Sequence, residues 1–248
     1  MTTLVSAFLS GVNYKYPDAL ERYCSLGRLL LQSTTPKIVF VDETMAALLK
    51  DVENNDNTLL VTIKKGDLYL YDYATQLSRF HVHTTDPTKD TAEFMLTVCS
   101  KPELVRKAVD LDPFKTDHFV WVDFGLRHVF RCSDEAFVAK LDNLKYKKHP
   151  ANAVRIGGIW DIAYRCEQDV YKDVYKDVLW YFAGGVFGGS KETLLHFARA
   201  MRAKCIELMT EQNTLMWEVN VWYLLHREQK VEFDIYKCDH NDSIVDNY

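Results

Sequence analysis

Apolar runs of four to six residues alternate along this chain with longer segments whose apolar positions recur every three or four residues. Residues 4–9 (LVSAFL) form a β-type run that the polar stretch 11–16 ends. Pro17 suits the first turn of a helix, where its missing N–H needs no partner. Ala19, Leu20, Tyr23, Leu26, Leu30 and Leu31 then recur at helical spacing, which predicts a helix over 17–32. The run KIVFVD predicts a short buried strand ending in acid at Asp42. A helix is expected over 44–50 and a strand over 59–63. To the tyrosine-rich stretch 67–79 the pattern assigns no state. Asp90 or Thr91 is expected to cap a helix reaching about Val109, with Phe94, Val98 and Val105 on its apolar face and Pro102 kinking or breaking it.

The run HFVWV predicts a buried strand delivering Asp123 at its carboxyl end, followed by Phe124-Gly125. Ser133, with Asp134 and Glu135 behind it, opens a helix to about Asn143. Strands are expected over 154–160 and 178–183, the latter running into the glycine-rich turn of FAGGVFGG. From Ser190 to Met209, Leu194, Leu195, Ala198, Met201, Cys205 and Leu208 make one helical stripe. A helix over 216–226 and a strand over 231–236 precede the polar tail CDHNDSIVDNY. The tandem VYKDVYKD at 170–177 is too short for a repeat fold. Strands alternate with helices and no linker interrupts them, so residues 1–248 read as one α/β domain with a mostly parallel central sheet flanked by helices.

Composition narrows the function classes. With 248 residues and 48% hydrophobic content the chain can bury one sizeable core. A net charge of -5 argues against a general nucleic-acid binder, which carries a basic face. The short basic cluster KYKKHP at 145–150 reads as a solvated loop. The six cysteines form no CxxC pair and read as reduced, mostly buried thiols. No apolar run reaches the length of a transmembrane helix, and the amino terminus lacks the basic leader of a signal peptide. A soluble, cytoplasmic protein is the expectation.

Candidate chemistry collects at a few positions. In open α/β sheets, ligands bind at the carboxyl ends of the strands, which singles out Asp123 as a partner for a ribose hydroxyl or a divalent cation. The DFG triplet stands without the glycine-rich and catalytic loops of protein kinases. In FAGGVFGG, Gly184 and Gly185 leave room for a sugar, with the positive end of the Ser190 helix expected nearby. Lys101 and Arg106 could neutralise phosphates, although a solvated helix face is the plainer reading. Glu218 falls on the apolar face of its helix beside Val221, Trp222 and Leu225, where desolvation would favour proton acceptance. The plainer alternative is an acid favoured at the first turn by the helix dipole. His240, flanked by Asp239, Asn241 and Asp242, could close a metal site begun elsewhere or simply be exposed. His81 and His83 share a strand face and read as structural.

In order along the chain, SAF, DPFKTDHFVWVDFG, FAGGVFGGS, WEVNVWYLL and DHNDSI resemble the HtrL/YibB-like proteins, a glycosyltransferase-type group tied to surface polysaccharide. The resemblance spans nearly the whole chain. It implies the GT-A fold, with a nucleotide-sugar donor held by about residues 1–125 and a glycan acceptor by about 126–248. It further implies that Ala7 and Phe8 edge the nucleotide, that Asp123 with Phe124 takes the first position of an Asp-x-Asp motif, and that Lys101 lies on the donor side. Gly184 and Gly185 would flank the donor sugar, Glu218 would be the base, and His240 would join Asp123 as a ligand of Mn²⁺ or Mg²⁺. Gly125 stands where the second acid of that motif belongs, which weakens the case for a cation. The activity implied is transfer of a hexose or deoxyhexose from a UDP- or GDP-sugar to a glycan hydroxyl. A non-catalytic module binding carbohydrate or a partner chain through surface aromatics is the alternative.

Overall fold

A computed structural model describes residues 1–11, 19–52, 54–77, 80–84, 86–147, 152–161 and 174–248. Seven strands form one mixed sheet: β1 (Thr2–Phe8), β2 (Lys37–Val41), β3 (Thr58–Thr62), β4 (His118–Val122), β5 (Val154–Gly158), β6 (Phe182–Ser190) and β7 (Phe233–Lys237). Their order across the sheet is β3-β2-β1-β4-β6-β5-β7. Strands β3, β2, β1 and β4 run parallel, β6 is antiparallel to both β4 and β5, and β7 is parallel to β5. The chain builds outward from β1 through β2 to β3, then returns to lay β4 on the other side of β1. That reversal opens a crevice between the carboxyl ends of β1 and β4, the place where doubly wound sheets bind ligands.

Burial on both faces explains why these strands read as continuous apolar runs. Successive side chains point to opposite faces. Val5, Ile38, Phe40, Phe119, Trp121 and Phe187 therefore join one core cluster, and Leu4, Val39, Val41, Val120, Val122 and Val186 the other. The first cluster is covered by α4 (Ala92–Cys99), α5 (Lys101–Leu111), α7 (Lys191–Glu211) and α8 (Glu218–Arg227), and the second by α1 (Ala19–Gln32) and α6 (Asp134–Asn143). The helix α1 comes close because Gly27 leaves space for the Phe124 ring: a Cβ there would lie 2.0 Å from Cε1.

Local signals set the helix boundaries. Asp42, the acid that ends the β2 run, caps α2 (Glu43–Leu48) by accepting from the Met45 amide at 2.9 Å, and it also receives the Ser10 amide at 2.6 Å. Thr91, Ser133 and Ser190 cap α4, α6 and α7 in the same manner. Pro102 does break the predicted long helix: α4 ends at Cys99 and α5 begins at Lys101. The tyrosine-rich stretch carries a short helix, α3 (Tyr69–Thr75), tied to α4 by the Tyr71 hydroxyl, which donates to Glu93 O at 2.9 Å. Cys24, Cys99, Cys205 and Cys238 are buried free thiols and Cys132 is half-buried and free. Pro17, Arg79, Cys166, the first half of the 170–177 duplication and the end of the KYKKHP cluster lie outside the described residues.

One expectation about β6 is overturned. The strand begins at Phe182, and the glycines of FAGGVFGG lie inside it rather than in a turn after it. Glycine costs a strand entropy, yet here it admits neighbours that a side chain would exclude: a Cβ on Gly188 would sit 2.2 Å from the Tyr248 hydroxyl. Because β6 is antiparallel, Gly185 lies beside Asp123 while Ser190 pairs with His118 at the other end of β4. The amino end of α7 is thus roughly 20 Å from Gly184 along the strand, on the opposite rim from the crevice, and cannot serve it.

Candidate functional site

The crevice at the β1–β4 reversal is a cleft of about 380 Å³, within the usual size of small-molecule sites. Ala7, Phe8, Lys101, Asp123, Phe124, Gly184, Gly185, Glu218 and His240 all line it, so the nine residues singled out in the sequence come together. Arg106 does not: it lies on the outer face of α5, paired with Asp110 at 2.5 Å. His81 is likewise elsewhere, bonded through its backbone to Asn213 and Leu215.

Asp123 follows β4 directly, its amide donating to Gly185 O at 2.9 Å. Trp121, two residues earlier on the same strand face, donates its indole N–H to Asp123 Oδ1 at 2.7 Å. Lys101 completes the arrangement from the first turn of α5, a position where a cation opposes the helix dipole. Its ammonium is held there by partners outside the helix: Asp123 Oδ1 at 2.9 Å, Glu218 Oε1 at 2.7 Å and Gly184 O at 3.0 Å. Three donors meet three acceptor groups. The Lys101 and Glu218 side chains are only 9% and 8% exposed, whereas that of Asp123 is 36% exposed toward the cleft. Burial works against the charged lysine, but Asp123 and Glu218 more than offset it and hold the Lys101 pKa above the ordinary lysine range.

Glu218 opens α8 and reaches under β6. A Cβ on Gly184 would lie 2.7 Å from Glu218 Oε1, so the space left by this glycine is occupied by the carboxylate, not kept for a sugar. The acid does sit among apolar neighbours, as the helical spacing suggests, but the periodicity of its own helix carries no sign of the ammonium from α5. Both site carboxylates are therefore ion-paired to one buried cation.

The side of the cleft against α1 is aromatic. Phe8 packs on Tyr23 of α1 with ring centroids 5.1 Å apart and on Phe124 at 5.7 Å. Burial first, and the Asp123 charge second, raise the Tyr23 pKa and keep it a neutral phenol. On the opposite side, His240 stands edge-on to Trp180 at 4.3 Å between centroids. Burial, reinforced by His128 and opposed by Asp239, lowers the His240 pKa. His128 pins one ring nitrogen on Gly125 O at 2.6 Å. Tyr23, Lys89, Trp121, His128 and Trp180 also line the cleft, and sequence pattern alone did not single them out. Only Trp121 carried a readable signal, its i, i+2 relation to Asp123.

The donor set does not fit a divalent cation. Among the described residues no three His, Cys, Asp or Glu side chains gather closely enough to hold a metal ion. Asp123 Oδ1 is already taken by an indole and an ammonium, Glu218 is neutralised by the same ammonium, and Gly125 offers no ligand side chain. Asp123 and His240 share the cleft without a third ligand.

No protein of curated function is recognisably similar in sequence. Solved structures are similar in fold. Mouse xyloside xylosyltransferase 1, in its apo form, is 9% identical with a TM-score of 0.50, over 96% of this chain and 86% of that one. The galactosyltransferase LgtC, in complex with donor and acceptor sugar analogs, is 12% identical with a TM-score of 0.50, over 96% of this chain and 73% of that one. The mixed seven-stranded sheet with flanking helices is thus the GT-A glycosyltransferase fold. The family model for HtrL_YibB, described as a bacterial protein of unknown function, matches residues 1–243, and the chain belongs to that family.

Proposed function

We propose that this protein is a glycosyltransferase that moves a hexose or deoxyhexose from a UDP- or GDP-sugar to a glycan hydroxyl, in the synthesis of a surface polysaccharide or a glycoprotein glycan. One observation carries the reading: a cleft at the β1–β4 reversal joins an aromatic wall from Phe8 and Tyr23 to a half-exposed carboxylate, Asp123. The wall suits a nucleobase, and the carboxylate suits a ribose hydroxyl. Trp180 and His240 on the far side offer ring faces and edges for a sugar. Glu218, at the rear of the same cleft, is the acid available to accept the proton of the attacking hydroxyl, which leaves as the new glycosidic bond forms and the nucleoside diphosphate departs. In this reading the donor belongs chiefly to residues before 125 and the acceptor to those after it.

Thermal shift and calorimetry with UDP and GDP test the proposal. Wild-type protein should be stabilised by one of them. Asp123→Ala should lose that stabilisation, and its unliganded melting point should fall by about 3–10 °C, because the buried Trp121 indole and the Lys101 ammonium each lose a partner. Undiminished nucleotide binding by the variant would reduce Asp123 to a partner of Trp121 and Lys101. A response to free glycan alone, with none to nucleotide, would point instead to a carbohydrate-binding module.

A further inference from the structure

A transferase that binds a diphosphate beside two carboxylates faces an electrostatic problem, since like charges at such distances repel strongly in a partly dry cleft. The usual remedy is a divalent cation. Here the space between the two acids holds Lys101, whose ammonium lies 2.9 Å from Asp123, 2.7 Å from Glu218 and 3.0 Å from Gly184 O. Its nitrogen also lies 5.9 Å from the centroid of the Trp121 ring. Lys89 also lines the cleft, so the lining holds two lysines and two carboxylates and carries no excess negative charge.

We infer that Lys101 is the resident cation of this site, standing where a divalent ion would have to sit between Asp123 and Glu218, and that nucleoside diphosphate binds without metal. Three features support a fixed cation rather than a mobile surface lysine. The side chain is buried; each of its donors has an acceptor; and it projects from the first turn of α5, where the helix dipole disfavours it and the two acids and Gly184 O hold it. A metal ion would have to displace a covalently tethered charge from both carboxylates at once. Removing the ammonium should create what the wild-type site lacks, a pair of unneutralised carboxylates open to a hard cation.

The metal half of this inference stands apart from the proposed activity, and the nucleotide half rests on it. Electron paramagnetic resonance of free aqueous Mn²⁺ reads the first. Wild-type protein should leave the Mn²⁺ signal unchanged. Lys101→Met should melt lower by on the order of 10 °C, recover part of that loss with Mn²⁺ or Ca²⁺, and quench the Mn²⁺ signal. Stoichiometric Mn²⁺ binding by wild type that Asp123→Ala abolishes would overturn the inference, and this arm decides even if Lys101→Met does not fold. A folded Lys101→Met that ignores metal would also overturn it, because the lysine would then not stand in a cation's place. For the second half, UDP or GDP affinity after chelation should match that with Mn²⁺ within about threefold. Binding only with metal would refute metal independence, whereas no nucleotide binding under either condition would refute the proposed donor and leave the Mn²⁺ result standing.

Discussion

Glu218 shows what a single side chain can and cannot be asked to do. It is paired with Lys101 through Oε1 at 2.7 Å and is nearly enclosed, so it belongs both to the electrostatic frame of the cleft and to the set of groups able to take a proton. A substitution to glutamine separates the two roles. The amide oxygen can still accept from Lys101, but the carboxylate is gone. If Glu218 accepts the proton of the acceptor hydroxyl, Glu218→Gln should cut the rate of sugar transfer by ~10²–10⁴ while the donor Kd changes far less. Equal losses in rate and donor affinity would instead identify a positioning residue that acts through Lys101. Steady-state kinetics paired with calorimetry tell these outcomes apart.

At the scale of elements, the antiparallel strand β6 is what turns the β1–β4 crevice into this particular site. It brings Gly184 and Gly185 alongside the end of β4, and it leaves beneath Gly184 the space that Glu218 fills. A methyl group at that position meets Oε1 at 2.7 Å and Val219 Cγ1 at 3.2 Å, and neither helix α8 nor the strand can move without disturbing a packed core. Gly184→Ala should therefore cost about 1–3 kcal/mol of stability and displace Glu218 from Lys101, weakening transfer. Urea unfolding together with an activity assay checks both halves. An active, fully stable Gly184→Ala protein would show that the strand yields and that the close approach is incidental.

On the scale of the whole molecule, the α1 and α6 layer is fastened at the amino ends of the strands by Asp142, at the end of α6. Its Oδ1 accepts from the Ser33 hydroxyl and the Thr34 amide, each at 2.6 Å, and so ties α6 to the segment entering β2. Burial acts to raise the carboxyl pKa, but the hydrogen bonds from Ser33, Thr34 and Thr35 outweigh it and leave the pKa below the ordinary value. A depressed acid stabilises the fold at every pH above its unfolded value of about 3.9, and that contribution fades as pH falls through the folded value. Asp142→Ala should thus destabilise by about 1–3 kcal/mol at neutral pH. The difference from wild type should shrink steadily below about pH 4. Denaturant midpoints measured at neutral pH and near pH 3 check the sign, and a gap that widens in acid would refute it.

Most of the elements, and nine of the residues that line the cleft, were legible in the chain itself. Periodicity is local: KIVFVD and HFVWVD read as buried strands because both faces of each run are apolar. Asp90 or Thr91, Ser133 and Ser190 read as helix starts because their oxygens can cap free amides, with the structure choosing Thr91. The strand-end rule then marked Asp123 without knowledge of any neighbour. Where local pattern failed, the reason was pairing between distant segments. The glycines of FAGGVFGG resemble a turn, and only the antiparallel direction of β6 makes them strand and carries Ser190 away from the cleft. Glu218 looks like a lone acid on an apolar face, and Lys101 like a solvated cation on a helix. They lie 117 residues apart, and no periodicity encodes a contact across that span. The sequence by itself determined the buried strands, the helix starts and the acid at the end of β4, because alternation and capping act within a few residues, while Ala7 and Phe8 were marked only by the family resemblance. Only the tertiary structure decided that two carboxylates share one buried ammonium, because the energy of an ion pair depends on a distance that folding alone creates.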